Sequence, residues 1–245
     1  MTECATKRAV WYAAKYFFFL LLLICAAVLL YGVFQLIQPQ PDPQAAYNPG
    51  RQKIIVDAGH GGGDGGAVSA SGLLEKELNL ELSLVLRDML CAAGYDVIMT
   101  RSDDSMLTWE GAPSAKSGDL RARTEIANAN PDALFVSIHM NKFGDRSVSG
   151  PMAFYMKGSV EGEKLAKCVL DGVCGAIGRP LRHVNPGDYY IIKNSEPPSV
   201  ILECGFLSNA NDEALLQNEE HMRAMMKGAA EGILKYVEAA EGKSQ

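Results

Sequence analysis

The sequence predicts an α/β fold: a single domain with a twisted, mostly parallel sheet of about six strands flanked by helices, preceded by an N-terminal transmembrane helix. Three observations lead there. Short apolar runs alternate with longer amphipathic stretches from residue 51 onward, the pattern of β–α units around a covered parallel sheet. The chain of 245 residues is 48% apolar and 21% charged, which suits a globular domain with a real core. Residues 16–41 carry no charge at all.

That uncharged stretch defines the N-terminal organisation. As a helix at about 1.5 Å per residue it would span roughly 39 Å, more than the ~30 Å hydrocarbon core of a bilayer. Lys7, Arg8 and Lys15 precede it and no cation follows closely, so residues 1–15 read as a short cytoplasmic tail and 16–38 as a signal anchor. A cleaved signal peptide shares the positive start, but its apolar stretch is shorter and ends in a small-x-small site that is missing here. "QPQPDPQAAYNPG" supplies four prolines, so 39–50 reads as a stiff linker. The soluble domain, 51–240 with a tail at 241–245, is then extracytoplasmic.

Within it, "KIIVD" (53–57) is a short buried strand and "EKELNLELSLVLRDMLCAAG" a helix stopped by Gly94. "YDVIMTR" is a strand, and 102–119 a long polar loop before a helix capped by Asp119 in "DLRARTEIANANP". "ALFVSIH" and "PMAFYMK" are strands, followed by the helix "EGEKLAKCVLDGVCGAIG". "DYYIIK" and "SVILEC" complete the strands, and "NDEALL" and "EEHMRAMMKGAAEGILKYVEAA" are helices.

Net charge is −6, so no basic surface for nucleic acid is implied. No C-x-x-C occurs among the six cysteines, which argues against a zinc knuckle. Cys168 and Cys174 are close enough in sequence to pair, but buried free thiols are the plainer reading.

In open parallel sheets, ligands gather at the carboxyl ends of the strands. There the first strand runs into Asp57 and His60, the third into His139 and Asn141, and the last into Glu203. Glu75 opens the first helix, just past the glycine-rich turn "VDAGHGGGDGGAV", within reach of the same edge. His60, Glu75 and His139 make a ligand set for catalytic zinc with a fourth position left for water. A further carboxylate there, Glu203, can move protons at that water. Each has a plainer reading alone: a hydrogen-bonded loop histidine, a satisfied strand-end histidine, a first-turn acid favoured by the helix dipole. Glu203 resists this most, because a carboxylate inside "VILECGF" is costly unless paired or at a site. Asn141 and Asp57 are candidates for touching substrate or backing the ligands. For Asp57, Asp64 and Arg101 a structural role is favoured, Arg101 pairing with acids such as Asp103. His183 and His221 read as surface residues.

The turn also formally matches G-x-G-x-x-G at Gly61, Gly63 and Gly66. A dinucleotide turn opens directly into its helix, whereas here the helix begins about nine residues later. The phosphate reading is therefore weak.

"IIVDAGHGG", "GLLEKELNL", "TRSDD", "LRARTEIAN", "VSIHMN" and "VILECGFLSN" resemble, in order, the motifs of the zinc-dependent N-acetylmuramoyl-L-alanine amidases of the type 3 class. The resemblance implies Zn²⁺ on the positions of His60, Glu75 and His139 and a catalytic glutamate at Glu203. It implies peptidoglycan as substrate, cut between N-acetylmuramic acid and L-alanine. One anchor, no wall-binding repeats and an insertion before "DLRAR" are similar to the CwlD-type amidases of endospore formers. These remove stem peptides from spore cortex on the way to muramic-δ-lactam, ahead of germination. Partners implied are peptidoglycan, the membrane through the N-terminal helix, and room for an activating protein. A membrane-anchored wall-binding or scaffold protein with little activity is the alternative, and its mark would be a missing ligand.

Overall fold

The computed structural model describes residues 16–22, 24–26 and 51–242. The predicted tail 1–15, most of the 16–38 span, the 39–50 linker and residues 243–245 lie outside the described residues. Residues 16–22 and 24–26 are helical with exposed side chains. Among the described residues no helix is long and apolar enough to cross a membrane.

The C-terminal unit runs β1 (Lys53–Ala58), α1 (Glu75–Ala92), β2 (Asp96–Met99), α2 (Ala115–Asn128), β3 (Leu134–Asn141), β4 (Met152–Met156), α3 (Val160–Ala176), β5 (Asn185–Gly187), α4 (Tyr190–Lys193), β6 (Ser199–Phe206), α5 (Ala210–Leu215) and α6 (Glu219–Glu241). The six strands form one sheet in the order β2-β1-β3-β6-β4-β5. β2, β1, β3 and β6 are parallel; β4 runs antiparallel to β6, and β5 parallel to β4. The mostly parallel sheet flanked by helices is therefore as the alternating pattern predicts.

The two faces differ in cover. Ile54, Val56, Val136, Ile138, Val200 and Leu202 point to one face, which packs on α1, α3 and α6. α3 and α6 cross so closely that a Cβ on Gly172 would lie 2.1 Å from the carbonyl oxygen of Gly228; only bare backbone fits there. Ile55, Phe135 and Ile201 point to the opposite face, where Ala127 of α2 and Ile191 and Ile192 of α4 cover them. Side chains alternate along a strand, so Asp57, Ser137, His139 and Glu203 share this second, thinly covered face.

Two predicted elements are corrected. "DYYIIK" is not a strand: Tyr190–Lys193 is one helical turn, with the Lys193 and Asn194 amides donating to the Tyr189 and Tyr190 carbonyls. The edge strand is instead Asn185–Gly187, where Pro186 loses nothing because a sheet edge needs no donor on its outer side. The polar loop ends earlier than 119. α2 starts at Ala115, capped by Ser114, whose Oγ accepts from the Ser117 amide at 3.1 Å, and Asp119 lies inside the helix. His183 is exposed as expected, but His221 is half-buried near Arg179 and Asp212, and burial lowers its pKa. Cys91, Cys168, Cys174 and Cys204 are free thiols.

Candidate metal centre and active site

β1 ends in a turn that the rest of the domain holds from three sides. Arg123, 1% exposed on α2, donates to the carbonyl oxygens of Ala58 at 2.7 Å and His60 at 2.6 Å. Arg101, just after β2, donates to Ala58 at 2.8 Å and Gly59 at 2.9 Å. Asn79 of α1 donates to Gly59 at 3.1 Å. Three consecutive carbonyls are thus fixed by buried side chains. His60, the last of the three, adopts a left-handed φ of 61°, the one such non-glycine among the described residues, a conformation that persists only when its surroundings over-determine it.

Arg123 is itself held by acids. It donates to Asp57 Oδ1 at 2.6 Å and to both oxygens of Asp119 at 2.8 and 3.1 Å. Asp57 also accepts from Thr100 at 2.7 Å and from Ser137. Burial works against the charge of Asp57, but Arg123, Ser137 and Thr100 outweigh it and keep the carboxyl below its ordinary range. Asp57 is 0% exposed, so it braces the turn and has no surface to offer a substrate.

The turn delivers His60 to Glu75 and His139. Glu75 Oε1 lies 3.2 Å from His60 Nε2 and 2.9 Å from His139 Nδ1, and the two imidazole rings stand edge to face with centroids 5.0 Å apart. One ligand atom from each of the three lies within 4.8 Å of the others. Glu75 is fixed from behind: Oε2 accepts from the Ala67 amide at 2.7 Å, and Oε1 from the Met140 amide at 3.1 Å. Burial raises its pKa, yet His139 and His60 together pull it well below the usual carboxylate range. His60 Nδ1 donates to Asp64 Oδ2 at 2.9 Å. Burial disfavours the charged ring, but Glu75 and Asp64 prevail and raise its pKa.

Glu203 stands opposite His139 in the β3–β6 register. It is 9% exposed, and its Oε2 is buried with no hydrogen-bond partner. Burial, helped by the Glu75 charge and opposed by His139 and His60, pushes its pKa up to about 7. A carboxyl so placed can accept a proton near neutrality and give it back.

The four predicted residues are therefore brought to one edge. Asn141 is not among them: past an irregularity in the β3–β6 register, its Oδ1 accepts from the Lys142 amide at 2.8 Å. Arg101 does not pair with the Asp103 carboxylate; it donates to that residue's backbone carbonyl at 2.9 Å. Sequence reasoning missed Arg123, Asp119 and Asn79. The spacing 119, 123, 127 on α2, ending in the core residue Ala127, was the available signal for the first two.

Residues 54–235 match the N-acetylmuramoyl-L-alanine amidase family. The chain belongs to that family. The amidase is 36% identical over 187 residues to the germination-specific N-acetylmuramoyl-L-alanine amidase of Bacillus subtilis (strain 168), covering 75% of this chain and 78% of that one. Among solved structures it resembles the CwlD amidase from Clostridioides difficile, in complex with the GerS lipoprotein. That likeness has a TM-score of 0.73 and 35% identity, covering 77% of this chain and 100% of that one. The catalytic domain of CwlV from Bacillus (Paenibacillus) polymyxa is also similar, with a TM-score of 0.68 and 31% identity over 77% of this chain and 99% of that one. The amidase hydrolyses the amide that joins N-acetylmuramic acid to L-alanine in peptidoglycan.

Proposed function

We propose that this hydrolysis depends on zinc held by His60, Glu75 and His139, with Glu203 as the proton-transfer group. The observation that carries the reading is the spacing of the donor atoms. Ligands at about 2.0–2.1 Å around a tetrahedral ion stand about 3.3 Å apart; Glu75 Oε1 lies 3.2 and 2.9 Å from its two imidazole nitrogens, and the three donor atoms all lie within 4.8 Å of one another. Two imidazoles and one carboxylate leave a fourth position open, the donor set of a catalytic site. A zinc bound there supplies a Lewis acid that polarises the scissile carbonyl and lowers the pKa of water toward ~7.

The chain's own groups do the rest. Asp64 accepts a hydrogen bond from Nδ1–H of His60, which fixes the proton there and leaves the Nε2 lone pair facing the centre. Glu203, with Oε2 unpaired, accepts the proton of the attacking water and passes it to the alanine nitrogen as the C–N bond breaks. A wall-binding scaffold with a decayed site would lack one of these groups, and none is missing.

We place the enzyme in the spore cortex, removing stem peptides as a step toward muramic-δ-lactam. The germination-specific name of the Bacillus subtilis relative supports this. Residues 16–38 anchor it in the membrane and the 39–50 linker holds the domain, 51–240, on the extracytoplasmic side. An activating protein partner is part of the proposal, supported by the lipoprotein bound in the Clostridioides difficile structure.

Incubated with cortex peptidoglycan, the chain should release stem peptides with a free L-alanine N-terminus; peptidoglycan left with that amide intact would end the reading. Metal analysis should find about one zinc per chain, and a chelator should abolish activity until zinc is returned. Full activity in metal-free protein would rule the ion out. Gly59→Ala is expected to cost both metal and stability, because its Cβ would lie 2.2 Å from the Cε1 and Nε2 atoms of His139. Overpacking of this kind costs about 1–3 kcal/mol, and the displaced ring should lower zinc retention in equilibrium dialysis. Unchanged retention would mean that His139 is not a ligand.

A further inference from the structure

Beyond the hydrolytic groups, the thinly covered sheet face continues past Glu203 into an apolar wall. Met152 pairs directly across from Glu203 in the β4–β6 register, and Phe154 follows on the same face. Tyr189 packs edge-on against Phe154 with ring centroids 5.2 Å apart. Its ring lies on the bare α-carbon of Gly187, where a Cβ would come within 2.7 Å of Tyr189 Cδ2. The next residues, Tyr190 and Ile191, begin α4; Ile191 also lines a cavity of about 50 Å³ shared with Gly59, His60 and His139. Despite that seat, Tyr189 remains 43% exposed and Tyr190 44%. Burial and the nearby Glu203 charge both raise the pKa of the Tyr189 phenol, which keeps it neutral.

We infer that Tyr189, held by Phe154 and Gly187, is the platform on which the pyranose ring of the muramyl residue stacks while the amide lies at Glu203. Charge separates the two halves of the substrate. The stem peptide carries carboxylates, and the muramyl ring in an amide-linked chain is uncharged. On the metal side Lys116 is ion-paired with Asp64 at 3.5 Å. On the tyrosine side Asp188 and Lys193 neutralise each other at 2.8 Å. Both cations are thus paired, and the uncharged sugar ring is matched by the uncharged aromatic face of Tyr189. An aromatic face offers a sugar ring apolar contact at little cost in side-chain entropy.

The assignment rests on the amidase reading and is tested with the full chain on two substrates. One is N-acetylmuramyl-tripeptide; the other is the same peptide carrying a bare lactyl group in place of the muramyl residue. Tyr189→Ala should raise KM about tenfold on the first with kcat within twofold, and leave KM on the second unchanged, the non-additivity expected of groups in contact. Tyr189→Phe should match the wild type on both, with the melting temperature of each variant checking the fold. An equal loss on the two substrates, no loss on either, or a Tyr189→Phe defect as large as that of Tyr189→Ala would overturn the platform. Wild-type protein that cleaves neither substrate would overturn the amidase reading with it, whereas active wild type with an unaffected Tyr189→Ala overturns the platform alone.

Discussion

Glu203→Gln is expected to lower kcat on muropeptide by about 10²–10⁴-fold, the usual worth of a positioned acid–base group, with KM little changed. The amide keeps the size and the burial of the carboxyl but cannot take a proton from water. Turnover within tenfold of wild type would show that another group moves the proton. The same variant should be more stable. Folding raises the Glu203 pKa from 4.5 to about 7. The native state therefore prefers the neutral acid; that contribution is fully present below about pH 4.5 and is lost as pH rises through about 7. Above pH 7 the buried charge costs roughly 3 kcal/mol at about 1.4 per unit. In chelated protein, Glu203→Gln should therefore raise the melting temperature at pH 8 by several degrees and at pH 4 hardly at all. Equal shifts at the two pH values would mean that the carboxyl is not strained by burial.

Arg123→Met should cost about 3–5 kcal/mol, because removing one partner strands the buried charges it leaves behind. Asp57 and Asp119 lose their cation, the His60 carbonyl loses its Arg123 donor, and the Ala58 carbonyl is left with Arg101. A melting temperature lower by roughly 6–20 °C follows for a domain of this size. The effect has its own pH signature. The Asp57 pKa is depressed in the native state, so the stability it contributes is present above its unfolded value of 3.8 and is lost as pH falls through the lower native value. The variant should thus lose most at neutral pH and approach the wild type in acid. A loss below about 1 kcal/mol at pH 7 would show that water takes over the role of the guanidinium.

The apolar runs that become β1, β3 and β6 were readable because buried parallel strands carry little else, and Glu203 stood out against such a run. Its partners were readable only jointly, since nothing local distinguishes a ligand histidine from a satisfied one. What stayed hidden was hidden for physical reasons. Arg123 and Asp119 are spaced like an exposed helical ion pair, and only the tertiary packing of α2 turns them inward. Asn79 sits in an amphipathic helix where one buried amide leaves the pattern intact. "YYIIK" has the composition of a strand, but position overrode propensity: with the sheet edge already formed by residues 185–187, the segment turns over the face and closes a single helical turn.

The left-handed backbone at His60 bears on how such a domain ages. Glycine adopts that conformation freely, whereas a residue with a side chain there costs about 1–2 kcal/mol. The residue proposed here as a zinc ligand is thus not the one this backbone conformation prefers. In a lineage where amidase activity no longer mattered, drift at position 60 toward glycine would relieve that backbone cost, and inactive copies would be expected to lose this histidine early while keeping Arg123 and Asp57.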